Sequence, residues 1–558
     1  MKNQDERAAK ELGFHRARNR ATCVRLPARK EGFPHGAASM DYTAHTMKTI
    51  DRRTFLSLAA SSVLATRLNA YGQDAARVSL AIPAEARGPQ MPADFFGLSY
   101  EVEQLEKPAF FSAQNTGLIR QFKAIAANGV LRLGGNTSEF GWWKPAPDAP
   151  EPDHPQTRVV AGEPQPRFYA VTPQAVRNLA DFLDATGWTC IYGIGMGTNT
   201  PERAAVEAEF AAKTLGARLQ YFQLGNEVDL FSSHLRDPKT WNVKTYLAEW
   251  LAMARAIAAR VPEAQFGMPD VASRIDWLTE IAASWPSIAN PPRVVTLTHH
   301  YYFGGPATNP AVNIPNLLQP ATMAHVQQMA NLATAAAAKM GLRVRMTEGN
   351  TCYRGGKPGV SDVFAAALWS ADYALLLASN SYTGINLHGG TGSSVANSVG
   401  GFLPGDDLLR AEGATPAQIA THPHPFYTPI ATFGAEYALE PVACGLKFAA
   451  AFAGATLFSA NLTTQLQAAG VDATAYAARM RSGQTSLIVL NKDAQKDLAL
   501  DVKFAGAEGH PVTIERFHAP ALDSREAHLT AEKHSDRLKD GSCAVAVPRA
   551  SGLRVTIG

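Results

Sequence analysis

At 558 residues the chain is longer than one hydrophobic core usually holds, so at roughly 150 residues per domain it should contain several domains, a single α/β barrel alone taking roughly 250 residues. Hydrophobic residues make up 46% and charged residues 18%, with 44 Gly and 35 Pro, which excludes a disulfide-stapled module, a collagen-like chain and a largely disordered one. The formal charge of +3 is local: residues 1–70 hold 13 of the 52 Lys+Arg and 6 of the 49 Asp+Glu, leaving 39 and 43 for the rest, so no whole-protein field draws a polyanion and no nucleic-acid partner is expected.

The N-terminal 70 residues read as a leader. Arg52-Arg53 precedes a moderately apolar stretch over 55–66 and then Arg67-Leu-Asn-Ala70, the pattern of a twin-arginine export signal with Ala70 as a possible cleavage point. The apolar run is about 12 residues, short of the roughly 20 needed to span a bilayer, so export to the periplasm or exterior without stable membrane insertion is expected. Met47 offers a tidier start than Met1. The five cysteines form no CxxC pair and specify no disulfide framework.

Between residues 90 and 390 the segments 95–99, 129–133, 190–195, 221–224, 265–268, 294–299, 343–347 and 384–387 read as eight short strands. Ala- and Leu-rich helical segments at 116–128, 172–186, 201–215, 243–261, 274–284, 323–340 and 363–379 alternate with them, which predicts a (β/α)8 barrel over 91–454. The proline-rich stretch 141–167 reads equally as an active-site wall or as surface loop. From 455 to 558 the pattern turns to alternating strands with tight turns, the mark of an antiparallel β-sandwich that a strand within 75–90 can join.

Side chains at the C-terminal rim of barrel strands converge on one site. Phe222-Gln-Leu-Gly-Asn226-Glu227 puts a carboxylate at one strand end, and Val344-Arg-Met-Thr-Glu348 puts a second at another, three strands later. Two such carboxylates can face one another across the mouth, one protonated and the other ionised. Between them lies His299-His300-Tyr301-Tyr302, whose alternate residues point to opposite faces and can hydrogen-bond a carboxylate or sugar hydroxyls. No HExxH or comparable Cys/His spacing accompanies the histidines, so no metal is expected. Gly134-Gly135, in Arg132-Leu-Gly-Gly-Asn136, has the wrong spacing for a phosphate loop, and no cofactor is expected. Trp142-Trp143 suits either sugar stacking or packing.

Taken in order, Gly97-Leu-Ser-Tyr100-Glu101, Leu131-Arg132-Leu-Gly-Gly-Asn136, Gly225-Asn226-Glu227, His299-His300-Tyr301-Tyr302, Thr347-Glu348-Gly-Asn350 and Gly384-Ile-Asn386-Leu-His388-Gly-Gly resemble glycoside hydrolase family 79, the family of bacterial β-glucuronidases and of heparanase. The resemblance implies a retaining exo-acting β-glucuronidase that takes terminal β-D-glucuronic acid from uronic-acid-containing carbohydrates, with Glu227 as acid/base and Glu348 as nucleophile. It further implies that Asn226 binds the sugar 2-hydroxyl, that Tyr302 rather than Tyr301 orients Glu348, and that Tyr353 and Gly355 hold the uronate carboxylate. Glu101, Asn136 and His300 complete the expected substrate contacts. Arg354 and Lys357 place two cations in the same loop as Tyr353. The alternatives are a heparanase-like endo-acting glycosaminoglycan hydrolase, which the mildly acidic body disfavours, and a secreted carbohydrate-binding protein without catalysis, which the two carboxylates disfavour.

Overall fold

The computed structural model describes residues 75–158, 167–391, 425–433, 436–532 and 537–558. The segment 1–70, expected from the sequence to be a leader, and residues 159–166 of the proline-rich stretch lie outside the described residues.

A first strand, β1 (Ala76–Ile82), precedes eight parallel strands: β2 (Phe96–Glu101), β3 (Val130–Gly134), β4 (Thr189–Ile194), β5 (Leu219–Leu224), β6 (Phe266–Val271), β7 (Val294–Gly304), β8 (Arg343–Cys352) and β9 (Gly384–His388). Hydrogen bonding runs β8-β9-β2-β3-β4-β5-β6-β7 and closes into a barrel. The helices that follow the strands in turn are α1 (Thr116–Ile125), α2 (Pro173–Thr186), α3 (Pro201–Leu215), α4 (Val243–Arg260), α5 (Asp276–Ser284), α6 (Pro320–Lys339), α7 (Phe364–Ser379) and α8 (Pro441–Ala449). Each strand-like segment expected from the sequence is one of these barrel strands. The eighth helix and the ribbon pairing Ile430–Phe433 with Glu436–Leu439 were not anticipated.

Local chemistry fixes where the helices begin. Thr172 and Thr200 accept the backbone N–H of Ala175 and Arg203 just before Pro173 and Pro201, and Asn242 and Thr245 form a reciprocal capping box ahead of α4. The two faces of the strands then divide the work. Outward residues such as Leu131, Leu133, Phe222, Met346 and Leu387 are buried beneath the helices in one large apolar cluster, whereas Val130, Ile191 and Tyr221 form a small separate plug inside the barrel floor. Above that plug the interior is polar. Arg345 donates to Asn386 Oδ1 at 2.7 Å, and Gln223 Nε2 donates to Thr298 at 2.9 Å, so buried polar atoms are paired on the way up to the mouth.

The C-terminal strands are β10 (Thr456–Leu457), β11 (Ala473–Arg479), β12 (Thr485–Asn491), β13 (Leu498–Phe504), β14 (Val512–His518), β15 (His528–Glu532), β16 (Ser542–Val547) and β17 (Ser551–Ile557). Six form a sheet in the order β10-β11-β12-β17-β14-β15, and β1 lies parallel to β13 in a three-stranded sheet completed by β16. The two sheets enclose a second apolar core that includes Leu80, Leu487, Val502 and Val555. The solvent-facing β15, four of whose five residues are exposed, lacks the alternation that marks its neighbours and gave no strand signal.

Barrel and sandwich share a buried ion pair. Lys492 Nζ lies 2.8 Å from Asp372 on α7, with both side chains almost wholly inaccessible, and Tyr476 on β11 donates to the same carboxylate at 2.7 Å. The rings of Phe364 and Phe448 pack on Phe517 alongside it. Among the described residues no helix is long and apolar enough to cross a membrane, and the four cysteines there, Cys190, Cys352, Cys444 and Cys543, are free thiols. Lys492→Met should destabilise the protein by about 3–5 kcal/mol, because Asp372 is left buried and unpaired, while Lys492→Met with Asp372→Leu should recover most of the loss. Urea unfolding of the three proteins tests this, and equal stabilities would refute it.

Candidate active site

The polar mouth of the barrel is organised around Arg132, which β3 projects inward and which is 1% exposed. Its guanidinium donates to Glu348 Oε2 at 2.6 Å, to Asn226 Oδ1 at 2.8 Å and to the Ser99 hydroxyl at 3.0 Å, and it pairs with Asp270. Space for this group is made by the glycines that follow. A Cβ on Gly134 would sit 2.0 Å from the Arg132 guanidinium carbon, and one on Gly135, at φ 77°, would sit 2.1 Å from Glu101. The double glycine therefore clears room for buried charges.

Glu348 and Asp270 reach the interior through irregular strands. The β7–β8 register shifts between Met346 and Glu348, so Thr347 and Glu348 both turn inward, and a similar shift between Pro269 and Val271 delivers Asp270. Thr347 donates to Asp270 and Tyr302 donates to Glu348 Oε1 at 2.8 Å. His388 Nδ1 is 3.7 Å from Glu348.

Opposite Glu348 stands Glu227, whose αL backbone (φ 49°) is uncommon for a residue with a side chain. Its N–H donates to the Asp270 carbonyl at 2.9 Å. Carboxylate oxygens of Glu227 and Glu348 and a ring nitrogen of His300 all lie within 4.8 Å of one another. The Glu227 side chain is 16% exposed and that of Glu348 7%, so both open onto the mouth.

The two carboxylates sit in opposite electrostatic settings. Burial opposes ionisation of Glu348, but His388, His300, Arg132 and the Tyr302 hydroxyl outweigh it and hold its pKa down at about 2. For Glu227 burial dominates and, with the charge of Glu348 nearby, raises the pKa against the pull of His300. His300 Nδ1 lies 3.1 Å from Glu227, and its Nε2 lies 3.0 Å from Asp270 in an ion-pair contact outside hydrogen-bond alignment. Burial lowers the His300 pKa, yet Asp270 and Glu348 overcome this and push it up to about 10.

Tyr302 rather than Tyr301 reaches the site. Tyr301 faces outward and stacks on Tyr373, and His299 likewise turns away to Tyr382. Asn226 accepts from Arg132 and from Gly135 N–H, and its amide donates to the exposed Asn136 at 3.0 Å. Glu101 is 1% exposed, with its oxygens taken up by Thr137 at 2.6 Å and His388 at 3.3 Å, so here it braces the mouth. Tyr353 is 41% exposed beside Tyr302, and Gly355 accepts from Tyr427 N–H at 3.3 Å. Lys357 is drawn to the Val312 carbonyl at 2.8 Å, and Trp143 packs on Phe210.

Asp270, Ser99, His388 and Tyr427 belong to the site but were not among the expected residues. Ser99 and Asp270 carry the one signal available, a polar side chain at the inner end of a barrel strand. The segment read as 265–268 stopped two residues short of Asp270. Tyr427 packs on Tyr302 and His388 from a loop with no strand pattern of its own.

Unfolding should follow these shifts. The Glu348 contribution is present above its ordinary 4.5 and lost as pH falls towards about 2, whereas the His300 contribution is full below 6.5 and lost as pH rises through about 10. Glu348→Gln should flatten the acid limb of stability against pH and His300→Asn the alkaline limb, as read by urea unfolding from pH 2 to 10. Unchanged limbs would disprove the assignment.

No family model matches the chain. It is 26% identical over 370 residues to a β-glucuronidase of Aspergillus niger, covering 61% of this chain and 67% of that protein. It is 25% identical over 296 residues to a β-glucuronidase of Neurospora crassa, covering 48% of this chain and 51% of the relative. Among solved structures, a 4-O-α-L-rhamnosyl-β-D-glucuronidase from Fusarium oxysporum superimposes with a TM-score of 0.62 at 16% identity, over 86% of this chain and all of that one. A GH51 arabinofuranosidase from Xanthomonas axonopodis gives 0.58 at 15% identity, over 86% and 99%. In sequence the chain is similar to fungal β-glucuronidases, and in fold to barrel-and-sandwich glycosidases.

Proposed function

We propose that the chain is a retaining, exo-acting β-glucuronidase of glycoside hydrolase family 79 type, with a catalytic barrel over 91–454 and a sandwich over 455–558 joined by the strand within 75–90. The observation that carries this reading is the pair Glu227 and Glu348, with carboxylate oxygens within 4.8 Å and opposed pKa shifts. Oxygens this close suit direct attack by one carboxylate, whereas inversion needs carboxyl groups roughly 6.5–9.5 Å apart to admit a water. The similarity to proteins named β-glucuronidase supports the glycone.

On this reading Glu348, ionised and oriented by Tyr302 and Arg132, attacks the anomeric carbon. Glu227, kept protonated by burial, gives its proton to the departing glycosidic oxygen. Once Glu348 is esterified its negative charge is gone, so the Glu227 pKa drops and the residue removes a proton from the water that releases the sugar. Asn226, with Oδ1 bound by Arg132 and Gly135, is set to meet the sugar 2-hydroxyl, and Asn136, Tyr353 and Gly355 line the remaining contacts, while His300, buried between Glu227 and Asp270, acts through Glu227 instead of touching the sugar, and Glu101 supports through His388. The leader supports export through a twin-arginine route.

Matched chromogenic β-glucuronide, β-glucoside and β-galactoside test the glycone: the glucuronide should be preferred, and equal turnover of a neutral sugar would remove the uronate assignment. Glu227→Gln should lower kcat by roughly 10²–10⁴-fold on substrates needing protonation, with Glu348→Gln at least as impaired. NMR of the first product formed should show the β-anomer, and the α-anomer would exclude retention. The pH–rate profile should lose activity as pH rises through the Glu227 pKa, because only its protonated form donates.

A further inference from the structure

Glu139 is a buried carboxylate, 2% exposed, that lies outside the catalytic pair and takes no part in the charge network of Arg132. It sits in the short helical turn Asn136–Phe140 after β3, yet all its main contacts are to other loops. One oxygen accepts the backbone N–H of Asn226 at 2.7 Å. The other accepts the N–H groups of Met196 at 2.9 Å and Gly197 at 2.5 Å, in the loop after β4. Its own carbonyl is held by the Thr198 hydroxyl at 2.5 Å. The fit is close, since a Cβ on Gly197 would lie 2.9 Å from the carboxylate and one on Gly195 would lie 3.1 Å from the Glu139 Cα.

The Asn226 peptide needs such an anchor. It is flanked by Gly225 at φ 79° and Glu227 at φ 49°, so the chain turns through two left-handed residues at the point where it presents Glu227. A non-glycine residue there stays put only where its surroundings over-determine it. Backbone bonds from Gly225 N–H to the Ile194 carbonyl at 3.0 Å, from Glu227 N–H to the Asp270 carbonyl and from Leu230 N–H to the Glu227 carbonyl at 2.8 Å supply part of that constraint, while the Asn226 N–H between them is held by a side chain, that of Glu139. Burial raises the Glu139 pKa, and the three converging backbone N–H donors oppose that rise, since each stabilises negative charge on an acceptor they hold in place whatever its protonation.

We infer that Glu139 is a positioning residue for the acid/base: its carboxylate ties the loops after β3, β4 and β5 together and fixes the peptide from which Glu227 projects, so that it serves protonation of the leaving group rather than binding of the sugar. This rests on the glucuronidase reading for the identity of the substrate, but the geometry concerns Glu227 whatever the glycone. Glu139→Gln places an amide N–H₂ against backbone donors and should release one of the two loops. Glu139→Asp keeps the charge but withdraws it by one methylene, so it cannot reach both.

The test is a leaving-group series on the wild-type chain and both variants, with hydrogen exchange as a readout independent of substrate. For an alkyl or nitrophenyl β-glucuronide, kcat/KM, which reads formation of the glycosyl-enzyme alone, should fall roughly 10-fold or more, while for 2,4-dinitrophenyl β-glucuronide, which leaves without protonation, it should fall less than roughly threefold. Backbone exchange over residues 222–231 should rise in both variants. An equal loss on all leaving groups, or unchanged exchange in that segment, would overturn the proposal. Should Glu139→Gln fail to fold, Glu139→Asp carries the same comparison. If wild type turns over none of the glucuronides, the glucuronidase reading falls, and the exchange result still decides the role of Glu139.

Discussion

A single buried guanidinium holds the barrel mouth together. Arg132 is enclosed on every side, and its charge is tolerable only because Glu348 and Asp270 face it and Asn226 and Ser99 accept its remaining donors. Each carboxylate depends on it in turn, since removing one member of a buried charge set leaves the others unpaired at a cost of about 3–5 kcal/mol. The dependence reaches into the backbone. Gly134 and Gly135 have no side chain because the guanidinium and Glu101 occupy that space, and β6 and β8 shift register to bring Asp270 and Glu348 within reach.

From that network follows the asymmetry of the two glutamates. Both come from strand ends, both open onto the same cleft, and they differ in what surrounds them. Glu348 meets Arg132, two histidines and a tyrosine hydroxyl, whereas Glu227 meets one histidine, burial and the negative charges of Glu348 and Asp229. Cations gathered on one side of a low-dielectric mouth keep one carboxylate charged, and their relative absence on the other lets the second hold a proton. The proposed division of labour between nucleophile and acid is thus a consequence of placement. Glu139, which accepts the Asn226 N–H, extends the same logic to the backbone by gathering three N–H groups of two other loops on one carboxyl group.

The chain itself determined a good deal. Alternation of short apolar runs with Ala-rich helical segments specified eight strands and seven of the eight barrel helices, and Thr172, Thr200 and Asn242 mark helix starts by local hydrogen bonding that needs no distant partner. Strand parity placed Tyr301 and Tyr302 on opposite faces of β7, since side chains on a strand alternate by necessity, and the family resemblance pointed to Tyr302 as the one beside Glu348. The same rule fails at a bulge, which is why Asp270 went unnoticed: its inward direction is set by a register shift between paired strands, a property of two segments rather than one. Glu101 illustrates the reverse, being evident as a strand-end acid while its partners, Thr137 and His388, are fixed only by folding. Strand ends and helix caps are short-range features and are written in sequence. The pKa order of Glu227 and Glu348, the sharing of Arg132 between two acids and the pairing of Lys492 with Asp372 arise from contacts between elements far apart in the chain, so only the tertiary structure decides them.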